Sequence, residues 1–354
     1  MGNPPAGQES VTTQVVEADD RGIDRCARAL AVGELVAFAT ETVYGLGADA
    51  RSPAAVRAVY EAKQRPFADP LIVHVADADD AGGLGDLDHA DGVARRLVEA
   101  FWPGPLTVVV PRHGGLAPEV SGTGTVGLRC PAHPDARDLI RRSGVPVAAP
   151  SANRFGRVSP TDAHHVLEEL GGRIRWILDS GPTPLGVEST VLRCTGDGAT
   201  LLRPGGVTVE DITEVLGDGV LGVPPGALVA PSGVPAQSPG TSLSHYAPGV
   251  PLVLTDAGER VADDLADALA SGGMRVARLR LPTGDAAARE LYGALRALDE
   301  PGGVDAPDVA VTSTVDPAGL GRAVNDRLFR AAHGHIATDA TEGSLASIRL
   351  RVGA

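Results

Sequence analysis

Lysine is almost missing from this chain. Of its 31 basic residues thirty are arginine, and the one lysine is Lys63 in Tyr60-Glu61-Ala62-Lys63-Gln64-Arg65-Pro66. Where arginine has taken every generic positive charge, a surviving lysine marks a position that needs a compact point charge on a flexible stem. Aromatics are also scarce, at 3% of 354 residues, so a core must be built from Val, Leu, Ala and Ile. Three cysteines, Cys26, Cys130 and Cys194, form no CxxC and no pairing pattern, which excludes a disulfide framework and predicts a reduced chain. A formal net charge of -14 excludes a nucleic-acid-coating surface and leaves room for a local basic pocket. No apolar run is long enough to span a bilayer. The first residues, Met1 to Gln8, lack a basic stretch followed by an apolar one, so they predict no signal peptide and a cytoplasmic protein.

What is present reads as two domains. Residues 1–14 are expected to be a disordered tail, 15–216 a catalytic α/β domain, 217–250 a Pro/Gly-rich linker, and 251–354 a smaller α/β domain. In the first domain β-rich runs predict strands at Leu35–Phe38, Leu71–Val75, Leu106–Val110, Val126–Arg129, Val145–Ala149, Trp176–Asp179 and Ser189–Leu192. Helical patterns cover Ala54–Gln64, Ala90–Phe101, Pro134–Ser143 and Thr161–Leu170. After the linker, strands at Leu252–Leu254, Arg275–Leu279 and Val309–Val311 alternate with helices at Glu259–Ser271, Asp285–Leu298 and Leu320–Ala332. That alternation predicts a small Rossmann-like parallel sheet.

Most standard motifs fail. There is no P-loop, no HExxH and no Cys/His cluster. Gly122-Thr123-Gly124-Thr125-Val126-Gly127 matches GxGxxG, but it leads into a strand-like run and not a helix, so a dinucleotide site is not supported. His333-Gly334-His335 lacks a third ligand and reads as a surface loop. Seven polar segments interrupt apolar surroundings: Thr40–Gly47, Lys63–Pro66 with Asp69 and His74 beyond it, Pro103–Thr107, Val126–Pro131, Ala149–Asn153, Gly186–Val191 and Leu202–Gly205. Hydroxyls at the end of a strand suit a ligand site in an α/β sheet. Lys63 and Arg65 are two residues apart, as are Ser151 and Asn153, so in an extended segment each pair would share a face.

In order and spacing these segments resemble the YrdC-like family, the threonylcarbamoyl-AMP synthases. Thr40-Glu41-Thr42-Val43-Tyr44-Gly45-Leu46, Lys63-x-Arg65, Ser151-x-Asn153 and Glu188-Ser189-Thr190 carry the resemblance over about residues 15–216. Ser238-Pro239-Gly240, His245-Tyr246-Ala247-Pro248 and Gly319-Leu320-Gly321 extend it to the two-domain form. The resemblance implies a YrdC-like twisted mixed sheet with helices, followed by the small Rossmann-like domain. It implies that L-threonine, bicarbonate and ATP become threonylcarbamoyl-AMP and pyrophosphate. Lys63, Arg65, Ser151 and Asn153 are then the catalytic and ATP-binding set, with Arg203 and Tyr246 as further nucleotide contacts. Thr40, His74, Arg129 and Ser189 are candidates for the threonine and carbamate side, and Mg2+ is expected on the triphosphate with no protein-built metal site. The product would pass to a tRNA threonylcarbamoyl transferase, with no tight tRNA binding and no membrane partner for this chain.

The chain departs from the pattern in places. Thr241-Ser242-Leu243-Ser244 stands where the family's lid carries basic and aromatic residues. Ala39 replaces the usual proline before Thr40, and Asp69 replaces the usual asparagine before Pro70. Asp69 should weaken anion binding unless it is paired or turned away. These departures leave two other readings open: a paralogue acting on a different amine, and a non-catalytic nucleotide or RNA binder of the same fold.

Overall fold

The chain enters its first sheet at β1 (Gln14–Glu17) and turns at Asp19 into α1 (Asp20–Ala31), whose Gly22 amide donates to the Asp19 carboxylate over 2.7 Å. The structure is a computed structural model and describes residues 11–67, 69–89, 91–196, 198–224, 245–299 and 306–352. Residues 1–155 and 159–241 cluster as one unit, and 156–158 with 242–354 as another. Most of the expected tail (1–10) and the central part of the expected linker (225–244), including Thr241–Ser244, lie outside the described residues.

In the first unit β2 (Val36–Ala39) and β3 (Tyr44–Asp49) pair antiparallel. α2 (Pro53–Lys63) starts at a Ser52 cap with Pro53 in its first turn, and ends because Gln64 turns left-handed at φ 55. β4 (Ile72–His74), α3 (Val93–Phe101), β5 (Leu106–Pro111), β6 (Thr125–Arg129), α4 (Pro134–Ser143) and β7 (Val147–Ala148) follow. Then come α5 (Ala163–Leu170), β8 (Trp176–Asp179), β9 (Thr190–Thr195), β10 (Gly198–Arg203), α6 (Val209–Leu216) and β11 (Leu221–Gly222). The strands form one mixed sheet in the order β1-β8-β2-β3-β7-β4-β6-β5-β9-β10-β11. In the second unit β12 (Leu252–Thr255), α7 (Glu259–Ser271), β13 (Val276–Arg278), α8 (Asp285–Ala297), β14 (Val309–Ser313), α9 (Gly321–Ala331) and α10 (Glu342–Val352) build a parallel sheet of order β12-β14-β13. This is the expected α/β architecture, a twisted mixed sheet with helices plus a smaller α/β domain.

Several boundaries differ from the sequence reading for local reasons. α3 starts at Val93, not Ala90, because Gly92 before it is left-handed at φ 73; Ala90 itself lies outside the described residues. α5 starts at Ala163 because Asp162 caps it, accepting from the His165 amide at 2.9 Å. β3 begins inside the Thr40–Gly47 segment that reads as a ligand site and runs on to Asp49. Its glycines hide the strand from propensity, yet a Cβ on Gly47 would stand 2.8 Å from both Phe38 and Val147. Gly122–Gly127 does run into a strand, β6.

Alternation sets what each face of the first sheet carries. Ala37, Leu46, Val73, Val108, Leu128 and Leu192 point into one core with residues of α2, α3, α5 and α6. Val36, Phe38, Trp176 and Leu178 point the other way, against α1 and α4. Where this second face crosses β4, β6, β5 and β9 it carries His74, Arg129, Thr107 and, just before β9, Ser189.

Candidate active site

The polar row is built by strand register. His74 on β4 is the direct partner of Arg129 on β6, and the register Val108–Leu128 between β5 and β6 brings Thr107 beside Arg129. All three side chains are buried. Arg129 Nη2 donates to Glu41 Oε1 at 2.7 Å and to Thr42 Oγ1 at 3.0 Å, while Glu41 Oε2 accepts from the Ala132 amide at 3.0 Å. Thr42 Oγ1 lies 2.7 Å from Thr40 Oγ1, which in turn donates to the Val43 carbonyl. Arg129 Nε has no hydrogen-bond partner among the described residues. Burial, then the charge of Arg129, pushes the His74 imidazole down to about 3, so it is neutral at physiological pH.

A second group adjoins this row. Thr107 Oγ1 and Ser189 Oγ are 2.8 Å apart, and Arg203 Nη2 reaches the Ser189 carbonyl at 2.9 Å and its hydroxyl at 3.2 Å. The turn after Arg203 packs tightly on the same segment: a Cβ on Gly205 would lie 2.3 Å from the Glu188 carbonyl, so only glycine fits. Glu188 accepts from the Ser159 hydroxyl at 2.6 Å.

The third group surrounds Lys63, which is 1% exposed. Its Nζ donates to the main-chain carbonyls of Ser151, at 2.6 Å, and Asn153, and the Phe155 amide returns a bond to the Lys63 carbonyl at 2.8 Å. Asn153 Nδ2 donates to the Arg154 carbonyl at 2.8 Å. Burial, and then the charge of Arg65, holds Lys63 well below the usual lysine range, opposed by Asp69 and Glu169. Arg65 Nη2 bonds the Pro70 carbonyl at 2.8 Å and pairs with Asp69 Oδ2 at 2.9 Å. Burial raises the Asp69 carboxyl; Arg65, Lys63 and Arg203 oppose it, which places Asp69 in the field of all three cations.

One expectation is corrected here. Lys63 and Arg65 do not share a face of an extended segment: Lys63 closes a helix, Gln64 turns left-handed, and the two cations grip different main-chain carbonyls. Asp69 meets the condition set for it, since Arg65 pairs with it. Thr40, His74, Arg129 and Ser189 gather on one side of the sheet with Arg203 at its end, and Lys63, Arg65, Ser151 and Asn153 form the neighbouring group. Tyr246 belongs to the second unit, where it is buried against His245 and Tyr292 with the Arg327 guanidinium 5.3 Å above its ring. Thr107 and Glu41 were not among the candidate residues. A threonine inside the run Leu106-Thr107-Val108-Val109-Val110 is the signal for the first; nothing local marks Glu41 as the partner of Arg129.

Comparison with known proteins identifies the family. A family described as telomere recombination, that of Sua5, YciO and YrdC, matches residues 28–205. The threonylcarbamoyl-AMP synthase C-terminal domain matches residues 207–333. The threonylcarbamoyl-AMP synthase of Bacillus subtilis is 41% identical over 345 residues, covering 92% of this chain and 96% of the relative. The chain belongs to the threonylcarbamoyl-AMP synthase family. Its two-domain architecture is that of Sua5: the crystal structure of Pyrococcus abyssi Sua5 complexed with L-threonine superposes with a TM-score of 0.84 at 37% identity, covering 92% of this chain and 99% of that one. A variant of the same Sua5, with one histidine and one tyrosine replaced by alanine, gives a TM-score of 0.84 at 36% identity, covering 92% and 98%. Membership of this family makes the polar row and the Lys63 group the candidate active site of a synthase.

Proposed function

We propose that this chain condenses L-threonine, bicarbonate and ATP to threonylcarbamoyl-AMP, releasing pyrophosphate. The observation that carries the reading is Arg129, a buried guanidinium with an unpartnered Nε in a row of hydroxyls. Glu41 already meets the charge of this guanidinium through Nη2, so what Arg129 offers a ligand is the spare Nε donor, suited to an oxygen of the threonine carboxylate or the carbamate. Thr40, His74 and Ser189 then orient the amino acid. Lys63, Arg65, Ser151, Asn153 and Arg203 hold the nucleotide, with Tyr246 assigned to its binding by the family resemblance alone.

In this scheme the threonine amine attacks the carbon of bicarbonate; an N–C bond forms, a C–O bond of bicarbonate breaks, and the proton lost by the amine leaves with that oxygen as water, giving the carbamate. A carbamate oxygen then attacks the α-phosphorus, and the bond to the pyrophosphate oxygen breaks. Both reactants are anionic, so the cations must offset their repulsion and hold them in line. Mg2+ would supply charge neutralisation on the triphosphate. The acidic side chains nearby are already engaged, Glu41 by Arg129, Asp69 by Arg65 and Glu188 by Ser159, which suits an ion carried in on the nucleotide. The product goes to a tRNA threonylcarbamoyl transferase in the cytoplasm; this acidic chain binds no tRNA tightly. Among the described residues no helix is long and apolar enough to cross a membrane.

The test is pyrophosphate release with ATP, Mg2+, bicarbonate and a panel of amino acids. Turnover that depends on threonine is expected. Turnover insensitive to threonine, or specific to another amine, would overturn the substrate assignment. An inactive wild type that still binds ATP would mark a nucleotide-binding protein of this fold.

A further inference from the structure

The second unit has an open cleft of its own, with a cavity volume of about 180 Å3. That is below the roughly 300–1,000 Å3 of drug-sized ligand sites, so the cleft admits only a small molecule. Its walls are apolar: Val250, Pro251, Leu252 and Leu254 on one side, Ala331, Ala337 and Ile348 on the other. Its polar lining is His333, His335 and Arg351, and no carboxylate lines it. In a chain with 45 acidic and 31 basic residues, that composition is a local reversal of sign.

Local backbone geometry builds this arrangement. α9 ends where His333 turns left-handed at φ 54, followed by Gly334 at φ 78, and the Gly334 amide closes back on the Phe329 carbonyl at 2.8 Å. The turn leaves His333 and His335 exposed on either side of Gly334. Ile348 and Arg351 are three residues apart on α10, so one helix face supplies both an apolar wall and a charge. Partial burial, then the charges of Arg351 and His333, lower the His335 imidazole. The floor is the edge strand β12. Because the Ala310 amide bonds the Pro251 carbonyl, the Leu252 peptide groups point to the outer edge, where Ala337 covers only Leu254. Asp299 takes the amides of Gly249 and Val250, so these are not offered to a ligand. Among the described residues there is no group of three or more His, Cys, Asp or Glu side chains that could hold a metal ion.

We propose that this cleft is a second binding site, for a small organic anion whose apolar body lies on β12 and whose carboxylate or phosphate meets Arg351 and the His333–His335 lip. The proposal is independent of the chemistry assigned to the first unit. Titration calorimetry on the full chain tests it, with octanoate and phenyl phosphate as probes and 1-octanol as the uncharged control. At least one anion should bind one to one, at least ten-fold more tightly than octanol, and the better anion identifies the headgroup. Arg351→Ala should weaken binding at least ten-fold and Val250→Trp, which fills the cleft, should abolish it; Lys63→Ala should leave it unchanged. Should Val250→Trp fail to fold, Arg351→Glu replaces it with the same expectation. No binding by either anion, equal binding of octanol, or binding unmoved by the Arg351 variants would overturn the proposal, as would loss of binding in Lys63→Ala.

Discussion

Lys63 and Ser151 are joined through the lysine Nζ and the serine main-chain carbonyl, 2.6 Å apart, and not through the serine hydroxyl. With the second bond to the Asn153 carbonyl, the lysine fixes the backbone of the Ser151-x-Asn153 turn. An amine can converge on two carbonyls in a tight space, whereas a guanidinium is larger and planar. Lys63→Arg should therefore cost about 2–3 kcal/mol in denaturant unfolding through overpacking and reduce pyrophosphate formation by at least a hundred-fold. A fully active, fully stable Lys63→Arg variant would show that the lone lysine serves no geometric purpose.

Asp69 pairs with Arg65 and feels the charges of Lys63 and Arg203, and that pairing decides what asparagine would do there. Asp69→Asn keeps an oxygen that can accept from Arg65 but removes the negative charge from the field of Lys63 and Arg203. Weakening a buried pair costs stability, here about 1–2 kcal/mol since the hydrogen bond survives. The more positive site should lower the KM for ATP several-fold, with kcat little changed. Steady-state kinetics and urea unfolding of the one variant read both effects.

The fold was legible in the sequence where the periods were clean, and the site where residue types were out of place. The valine-rich runs gave β4, β5 and β6, and Lys63 flagged its own group. β3 was not legible because Gly45 and Gly47 lower strand propensity while tertiary packing requires them. α10 has little amphipathic pattern, with Leu345 and Ile348 as its buried apolar contacts. The pairing of Arg129 with Glu41 joins residues 88 positions apart, and only the sheet register brings them together.

His74 should make stability fall as pH falls. Its folded value is depressed to about 3 from an ordinary 6.5, so between those values the unfolded chain binds a proton that the folded chain does not. The stabilisation is present above about pH 6.5 and is lost on acidification toward pH 3. From pH 7 to pH 5 the loss attributable to this group is about 2 kcal/mol. The check is the difference in unfolding free energy between those two pH values, measured for wild type and for His74→Gln. The variant should show a fall smaller by about that amount, whatever its absolute stability. Equal falls in both proteins would place the acid sensitivity elsewhere.

Thr107 and Ser189 should act as one unit. Their hydroxyls are 2.8 Å apart, both are fully buried, and Arg203 holds the serine from its other side. Thr107→Val keeps the side-chain shape but leaves Ser189 with the arginine alone, so its hydroxyl is free to rotate out of the polar row. The lost hydrogen bond costs about 1 kcal/mol of stability, and the KM for threonine should rise five- to ten-fold with the KM for ATP little changed. Ser189→Ala should do the same by removing the ligand-facing hydroxyl itself. If Thr107 works only by orienting Ser189, adding Thr107→Val to Ser189→Ala changes the threonine KM no further. The double-mutant cycle would then give a coupling of about 1 kcal/mol. Additive effects on the threonine KM would mean that Thr107 touches the substrate in its own right, and would make it a member of the binding set and not its support.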